Sequence, residues 1–200
     1  MLATTLAGCL LFPTLSQGAD VSLTNAAELR SMTSDKADQR TLAVVEGVVT
    51  LYNADWGGFT MQDGTGAIWV TGNTKKPLVP GDRVRVHGKS GAGLYTPVII
   101  ADSVESLGSE SLPAAVSSDA AELFSGRWDA TRVRVRGLVG NVSSDDKMVH
   151  FQLYSEGYLI EVQSFIGLGH KPERLSEVEI TGICTVVAEN VRVRGINLNI

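Results

Sequence analysis

The stretch that decides the fold runs from Val44 to Gly88 and reads VVEGVVTLYNADWGGFTMQDGTGAIWVTGNTKKPLVPGDRVRVHG. Alternating runs of Val, Ile and aromatic residues are cut by Asn53-Ala54-Asp55, Asp63-Gly64-Thr65-Gly66 and Pro80-Gly81-Asp82, the chemistry of strands joined by turns. This predicts five strands, near residues 42–52, 57–63, 66–71, 82–89 and 97–106. Alternation turns Val45, Phe59, Met61, Ile68, Val70, Val84 and Val86 to a core and Thr60, Gln62 and Trp69 to the opposite face.

Working outward, the same unit returns. Asn25-Ala26-Ala27-Glu28-Leu29 reappears as Asp119-Ala120-Ala121-Glu122-Leu123, 94 residues on, and both have capping-box spacing. Gly47 recurs as Gly137, Phe59 and Met61 as Phe151 and Leu153, and Gly88 as Gly182, at spacings of 90, 92 and 94. An ordered set of matches that drifts by a few residues marks a duplication with small loop insertions. A polar connection over 33–40 and a linker over 107–117 complete the layout. The expected domains are a signal-like segment at 1–19, a helix plus barrel at 20–113, and a second helix plus barrel at 114–200.

Five short antiparallel strands suit a small closed barrel, because closure removes exposed sheet edges. Gly47 and Gly137 fit the place where a long first strand bends to serve both halves of such a barrel. The reading is therefore all-β, with one short helix per repeat and two tandem five-stranded OB-like β-barrels. A two-sheet sandwich is the alternative, although sandwiches normally carry more strands.

Composition narrows the function. Hydrophobic residues make up 44% and charged residues 20%, the balance of a globular chain. Both repeats are mildly acidic, with 8 basic against 11 acidic residues up to Pro113 and 9 against 11 beyond it. Proteins that live on phosphate contacts normally present a basic patch, so nucleic acid is disfavoured as a partner. Residues 1–19 carry no charge and Leu2–Leu15 is mostly apolar, the pattern of a secretion signal cut after Ala19. Leu6-Ala7-Gly8-Cys9 offers the competing reading of a lipoprotein box, which would tie the chain to a membrane through Cys9. The expected location is periplasmic or extracellular. Without that segment Cys184 is the single cysteine, in an apolar run where an inert buried thiol is expected.

The series Gly-Val-Val-Thr, Gly-Gly-Phe-Thr-Met-Gln-Asp, Gly-Ala-Ile-Trp-Val and Pro-Gly-Asp-Arg-Val-Arg-Val-His-Gly, from Gly47 to Gly88, resembles tandem bacterial OB-fold modules in the extracytoplasmic input regions of sensor kinases. It is also similar to OB-like domains of secreted nucleases. The likeness covers residues 40–110 well and 115–200 more loosely. It implies a non-catalytic input module coupled to a signalling or nuclease partner. No kinase or nuclease segment follows within this sequence, so Ile200 is read as a possible truncation point.

OB barrels bind across their second and third strands and the loops joining strands one–two and four–five. The candidate ligand-binding residues are accordingly Trp56, Thr60, Gln62, Trp69, Arg85 and Tyr95. For Trp69 the competing role is packing against the N-terminal helix or the neighbouring barrel. The rows Arg83, Arg85, His87 and Arg132, Arg134, Arg136 read either as polyanion contacts or as solvated strand faces paired with Glu46, Glu161 and Glu179; the acidic balance favours pairing. Asp63 reads as a turn residue. His87, His150 and His170 lack ligand spacing, no nucleophile is paired with a base, and Gly91-Ala92-Gly93 lacks the phosphate-loop pattern. No catalytic residue, metal or cofactor is expected. The expected function is an exported ligand- or partner-binding module of unknown ligand, with single-stranded nucleic-acid binding or service to a secreted nuclease as alternatives.

Overall fold

The computed structural model describes residues 22–72, 74, 76–145, 148–164, 171–189 and 192–200. The signal-like segment with Cys9, and His170, lie outside them.

One long strand organises the first half. Its residues are β-branched or apolar at nearly every second position, and it runs as β1 (Leu42–Asn53) for twelve residues. Leu42–Val48 pairs antiparallel with β4 (Asp82–Gly91), whereas Val48–Asn53 pairs with β2 (Gly58–Gln62). Gly47 sits at the changeover, where a Cβ would stand 2.8 Å from the Gln62 carbonyl oxygen. Only a residue without a side chain lets the two strands cross that closely. β3 (Ala67–Thr71) pairs with β2 and, in parallel, with β5 (Val98–Ser109). The order β1-β2-β3-β5-β4 closes on itself as a five-stranded barrel. Val45, Phe59, Met61, Ile68, Val70, Val84 and Val86 are all buried in its core, as their alternation requires.

Two helices cap this barrel. α1 (Ala26–Arg30) begins at Asn25, whose side chain accepts the Glu28 amide, while the Glu28 carboxylate accepts the Thr24 amide one residue before the cap. The polar connection expected over 33–40 contains a second short helix, α2 (Ser34–Ala37), started by the Thr33 side chain accepting the Lys36 amide. Four residues give too little periodicity to be recognised in sequence.

The second half repeats the barrel. β6 (Val116–Ser117) lies parallel to β7 (Arg132–Ser144), as Leu23 bridges Ala43 in the first half. α3 (Ala120–Phe124) is capped by Asp119. β8 (Val149–Ser155), β9 (Tyr158–Ser164), β10 (Glu177–Glu189) and β11 (Arg192–Asn199) follow. The order β7-β8-β9-β11-β10 closes through β10–β7. Gly137 repeats the role of Gly47, with a Cβ reaching 2.5 Å from the Tyr154 carbonyl. Arg40 and Ala130, both at left-handed φ (62° and 63°), occupy the same place just before the long strand of each barrel.

The barrels meet along a polar seam. Arg30, the last residue of α1, donates to the carbonyls of Ala67 (3.1 Å) in its own barrel and of Asp129 and Arg127 (both 2.9 Å) in the other. The Gln62 side chain accepts the Arg132 amide at 2.7 Å. The Tyr95 hydroxyl donates to the Ser125 carbonyl.

Two stability experiments test this. Gly47→Ala is expected to cost about 1–3 kcal/mol in urea denaturation, because its Cβ meets backbone; Gly64→Ala, where a Cβ meets nothing within 4 Å, is expected to be neutral. Arg30→Ala removes three hydrogen bonds from a charged donor to main-chain carbonyls, two part-buried and one exposed, and is expected to lower the urea midpoint by a loss of about 2 kcal/mol. An unchanged midpoint would remove Arg30 from the account of the seam.

Candidate functional site

Where the seam stops being polar it opens into a cleft of 430 Å³. The first barrel supplies Trp56, Trp69, Thr71, Tyr95, Thr96 and Val98, and the second supplies Asp129, Thr185 and Val186. Each position follows from local structure. Trp56 ends a single 3₁₀ turn (Ala54–Trp56) held by Asn53, whose side chain accepts the Asp55 amide. Trp69 projects from the outer side of β3, since Ile68 and Val70 take the inner side. The two indoles stand 6.1 Å apart between centroids, tilted by 53°, a favourable aromatic arrangement. Tyr95 comes from the β4–β5 loop, pressed over Gly126 of the other barrel. Leu94 beside it is 92% exposed, and Trp56 is 44% exposed.

Among the described residues the floor holds one ionisable carboxyl, Asp129. Asp129 is 3% exposed; one carboxylate oxygen accepts the Thr96 hydroxyl at 2.6 Å, and the other accepts the Val186 amide at 3.0 Å. Burial pushes its carboxyl above the ordinary value, against these hydrogen bonds and the nearby Arg30 charge. Cys184 beneath it is buried, and burial, followed by the Asp129 charge, pushes the thiol up to about 12. A thiol so raised is an unreactive packing residue. Among the described residues no lysine or arginine lines the cleft. The site is therefore an aromatic cleft with hydroxyls on its walls and a buried acid below.

Asp129 carries a pH signature. Its proton is held more tightly in the folded than in the unfolded chain, so the associated stability is full below the ordinary carboxylate value and is lost as pH rises through the raised one. Urea midpoints of the wild type should therefore fall relative to Asp129→Asn across that rise. Parallel curves for the two proteins would show that Asp129 titrates normally.

The sequence-derived candidates separate into two groups. Trp56, Trp69 and Tyr95 come together at the cleft. Thr60 and Gln62 point out of the barrel, as alternation demands, but are enclosed. Thr60 shares a 2.7 Å hydrogen bond with Thr50, and Gln62 is taken up by the seam. Arg85 is occupied by Glu46 (2.6 Å) and Glu105 (2.9 Å). Four of the row arginines are ion-paired, Arg83 with Arg85 on Glu46 and Arg134 with Arg136 on Glu179, whereas Arg132 donates to the Pro113 carbonyl and Glu161 accepts from Gln152. Clefts of 500 and 480 Å³ at Glu46–Arg83 and at Arg134–Glu179 are walled by these same ion pairs. Asp63 serves its turn, accepting from Thr65 and Gly66, and also caps α1 by accepting the Ala26 amide. Among the described residues no group of His, Cys, Asp and Glu is placed to hold a metal ion. Sequence reasoning missed Asp129, Thr96, Thr185 and Val186. They become a site only when two barrels dock, and no spacing within one repeat signals that.

No family model and no curated protein matches the chain. Solved structures similar to it include the p204 HINb domain (15% identity, TM-score 0.35, covering 78% of this chain and 91% of that one). A murine DNA-binding protein bound with double-stranded DNA is similar at 13% identity and a TM-score of 0.37, over 78% of this chain and 90% of that one. The chain spans 20% of a structure from Leishmania major Friedlin named for an aspartyl-tRNA synthetase, over 44% of its own length, at 13% identity and a TM-score of 0.36. At these scores the likeness supports no argument about what this chain binds. The resemblance to sensor-kinase input modules rests on the sequence series alone.

Proposed function

We propose that the chain is an exported, non-catalytic binding module that takes a flat, largely apolar ligand, neutral or cationic, in the cleft between its barrels. The observation that carries this reading is the set of Trp56, Trp69 and Tyr95 gathered over a buried acid, with no basic residue among the described residues of the walls. Aromatic faces stack on planar groups for about 1–3 kcal/mol per ring and attract cations through their quadrupoles. Asp129 repels anions and leaves its acceptor capacity to a donor or a positive charge. Walls drawn from both barrels let occupancy bias how the barrels sit together, which is what an input module needs. Export rests on the uncharged apolar segment at residues 1–19.

Titration of tryptophan fluorescence with neutral aromatic, saccharide and quaternary-ammonium compounds tests this reading. A binder is expected among them, and Trp56→Ala and Trp69→Ala should each weaken it about tenfold or more. Binding that survives both substitutions would place the site elsewhere. Turnover abolished by a point mutation would end the non-catalytic reading.

A second reading, single-stranded nucleic acid, is favoured by one observation. Trp56 and Tyr95 lie on the loops, and Trp69 on the strand, with which OB barrels hold oligonucleotides. The ion-paired arginines and the net charge of −5 oppose it. Oligonucleotide affinity falling steeply with salt would establish it.

A further inference from the structure

The duplication shows each barrel face twice, once in a covered and once in a free state. On the first barrel, Val48, Gln62 and Ala67 form one row across β1, β2 and β3. This row is covered, at 7%, 8% and 1% exposure, and Gln62 receives the second barrel's Arg132 amide there. The equivalent row on the second barrel is Leu138, Tyr154 and Leu159, aligned in the same way across β7, β8 and β9. These three are 47%, 50% and 41% exposed. Large apolar side chains have replaced a small, partly polar set, and they stand open. Contiguous apolar groups of this kind mark contact surfaces.

The opposite end of the molecule carries the other half of the seam. The second barrel docks through the segment around Ala130 and the start of β7. Its equivalent in the first barrel is Arg40, with its matching left-handed φ, and the start of β1. There Leu42 replaces Arg132 and is 41% exposed, with Val44 on the same side at 38%. On one free face Tyr154 stands where Gln62 does and two leucines enlarge Val48 and Ala67; on the other, Leu42 and Val44 stand where Arg132 and Arg134 do, with Arg40 in the place of Ala130 at the margin.

We infer that the Leu138–Tyr154–Leu159 face of one molecule docks the Arg40–Val44 segment of a second copy of this chain, in the head-to-tail sense of the two barrels but through apolar contact, since Phe124 and Tyr154 stand where Arg30 and Gln62 make the internal hydrogen bonds. Such an interface joins different surfaces on the two partners and propagates into short open chains or a ring. A two-fold pair of barrel-2 faces would leave the Leu42 end free; this is the arrangement excluded by the inference. The docking surface is separate from the aromatic cleft and does not depend on its ligand.

Sedimentation velocity on the purified chain across two decades of concentration tests this. The wild type should show a sedimentation coefficient that climbs with concentration. Leu159→Glu and Leu42→Glu should each abolish the climb, with unchanged far-ultraviolet circular dichroism. A mixture of the two variants should form a 1:1 dimer and stop there, since each retains one intact face. Tyr154→Arg should repeat the Leu159→Glu result if that variant folds poorly. A wild type monomeric throughout, association that persists in both variants, loss with Leu159→Glu alone, or a mixture that stays monomeric would each overturn the inference.

Discussion

The constraint on which the rest depends is that one strand must belong to two sheets. β1 pairs with β4 along its first half and with β2 along its second, and only this double membership closes the barrel. The strand has to bend within one residue while its neighbours stay at hydrogen-bonding distance. Gly47 meets that demand with its Cα against the Gln62 carbonyl, and Gly137 does the same against Tyr154. The consequence runs beyond the barrel. By fixing the end of β2 against β1, the glycine fixes Gln62, and Gln62 is where the second barrel's amide is received.

Duplication has kept interactions while changing the residues that make them. Glu46 faces Arg85 across β1 and β4 in the first barrel; Arg136 faces Glu179 across β7 and β10 in the second. The positions are equivalent and the charges exchanged. A site selected for phosphate would keep its positive charge on one strand, whereas exchange preserves only the pair. The Arg85 hydrogen bond holds the Glu46 carboxyl below its ordinary value and raises Arg85 in turn, a mutual arrangement that leaves little positive field for a polyanion. These pairs are solvent-exposed, so they fix the register of strands more than they stabilise the fold.

Much of the barrel could be read from the sequence because alternation and glycine placement are local. Phe59, Met61, Ile68 and Val70 are inward by period alone, and Gly47 and Gly137 announce their bends. The second barrel followed from the first by spacing. What stayed hidden belongs to contact between the repeats. Alternation puts Gln62 and Thr60 outside their barrel and does so correctly, but outside is not the same as exposed: the second barrel meets Gln62, and Thr50 of the same barrel meets Thr60. Arg30 looked like an ordinary helix-terminal cation, and its three carbonyl partners include two that lie almost a hundred residues away in sequence. Asp129 carried no signal, since a single carboxylate in Trp-Asp-Ala-Thr has the same appearance on a surface or in a floor.

The cleft is a consequence of how the seam is built. Arg30 and Gln62 hold the two barrels by main-chain groups, which need close approach at a few points and leave the side chains between them unmatched. On one side the gap is filled by Tyr95 over Gly126; on the other, Trp56 and Trp69 stand back from Thr185 and Val186. Asp129 crosses this gap, joining Thr96 of the β4–β5 loop to Val186 of β10. Burial outweighs the hydrogen bonds and the nearby Arg30 charge at this carboxyl and raises it above its ordinary value. A buried acid beside partly exposed aromatic rings adds little to the joining of two barrels. On the proposed reading it is the feature that would receive a group carrying a donor or a positive charge.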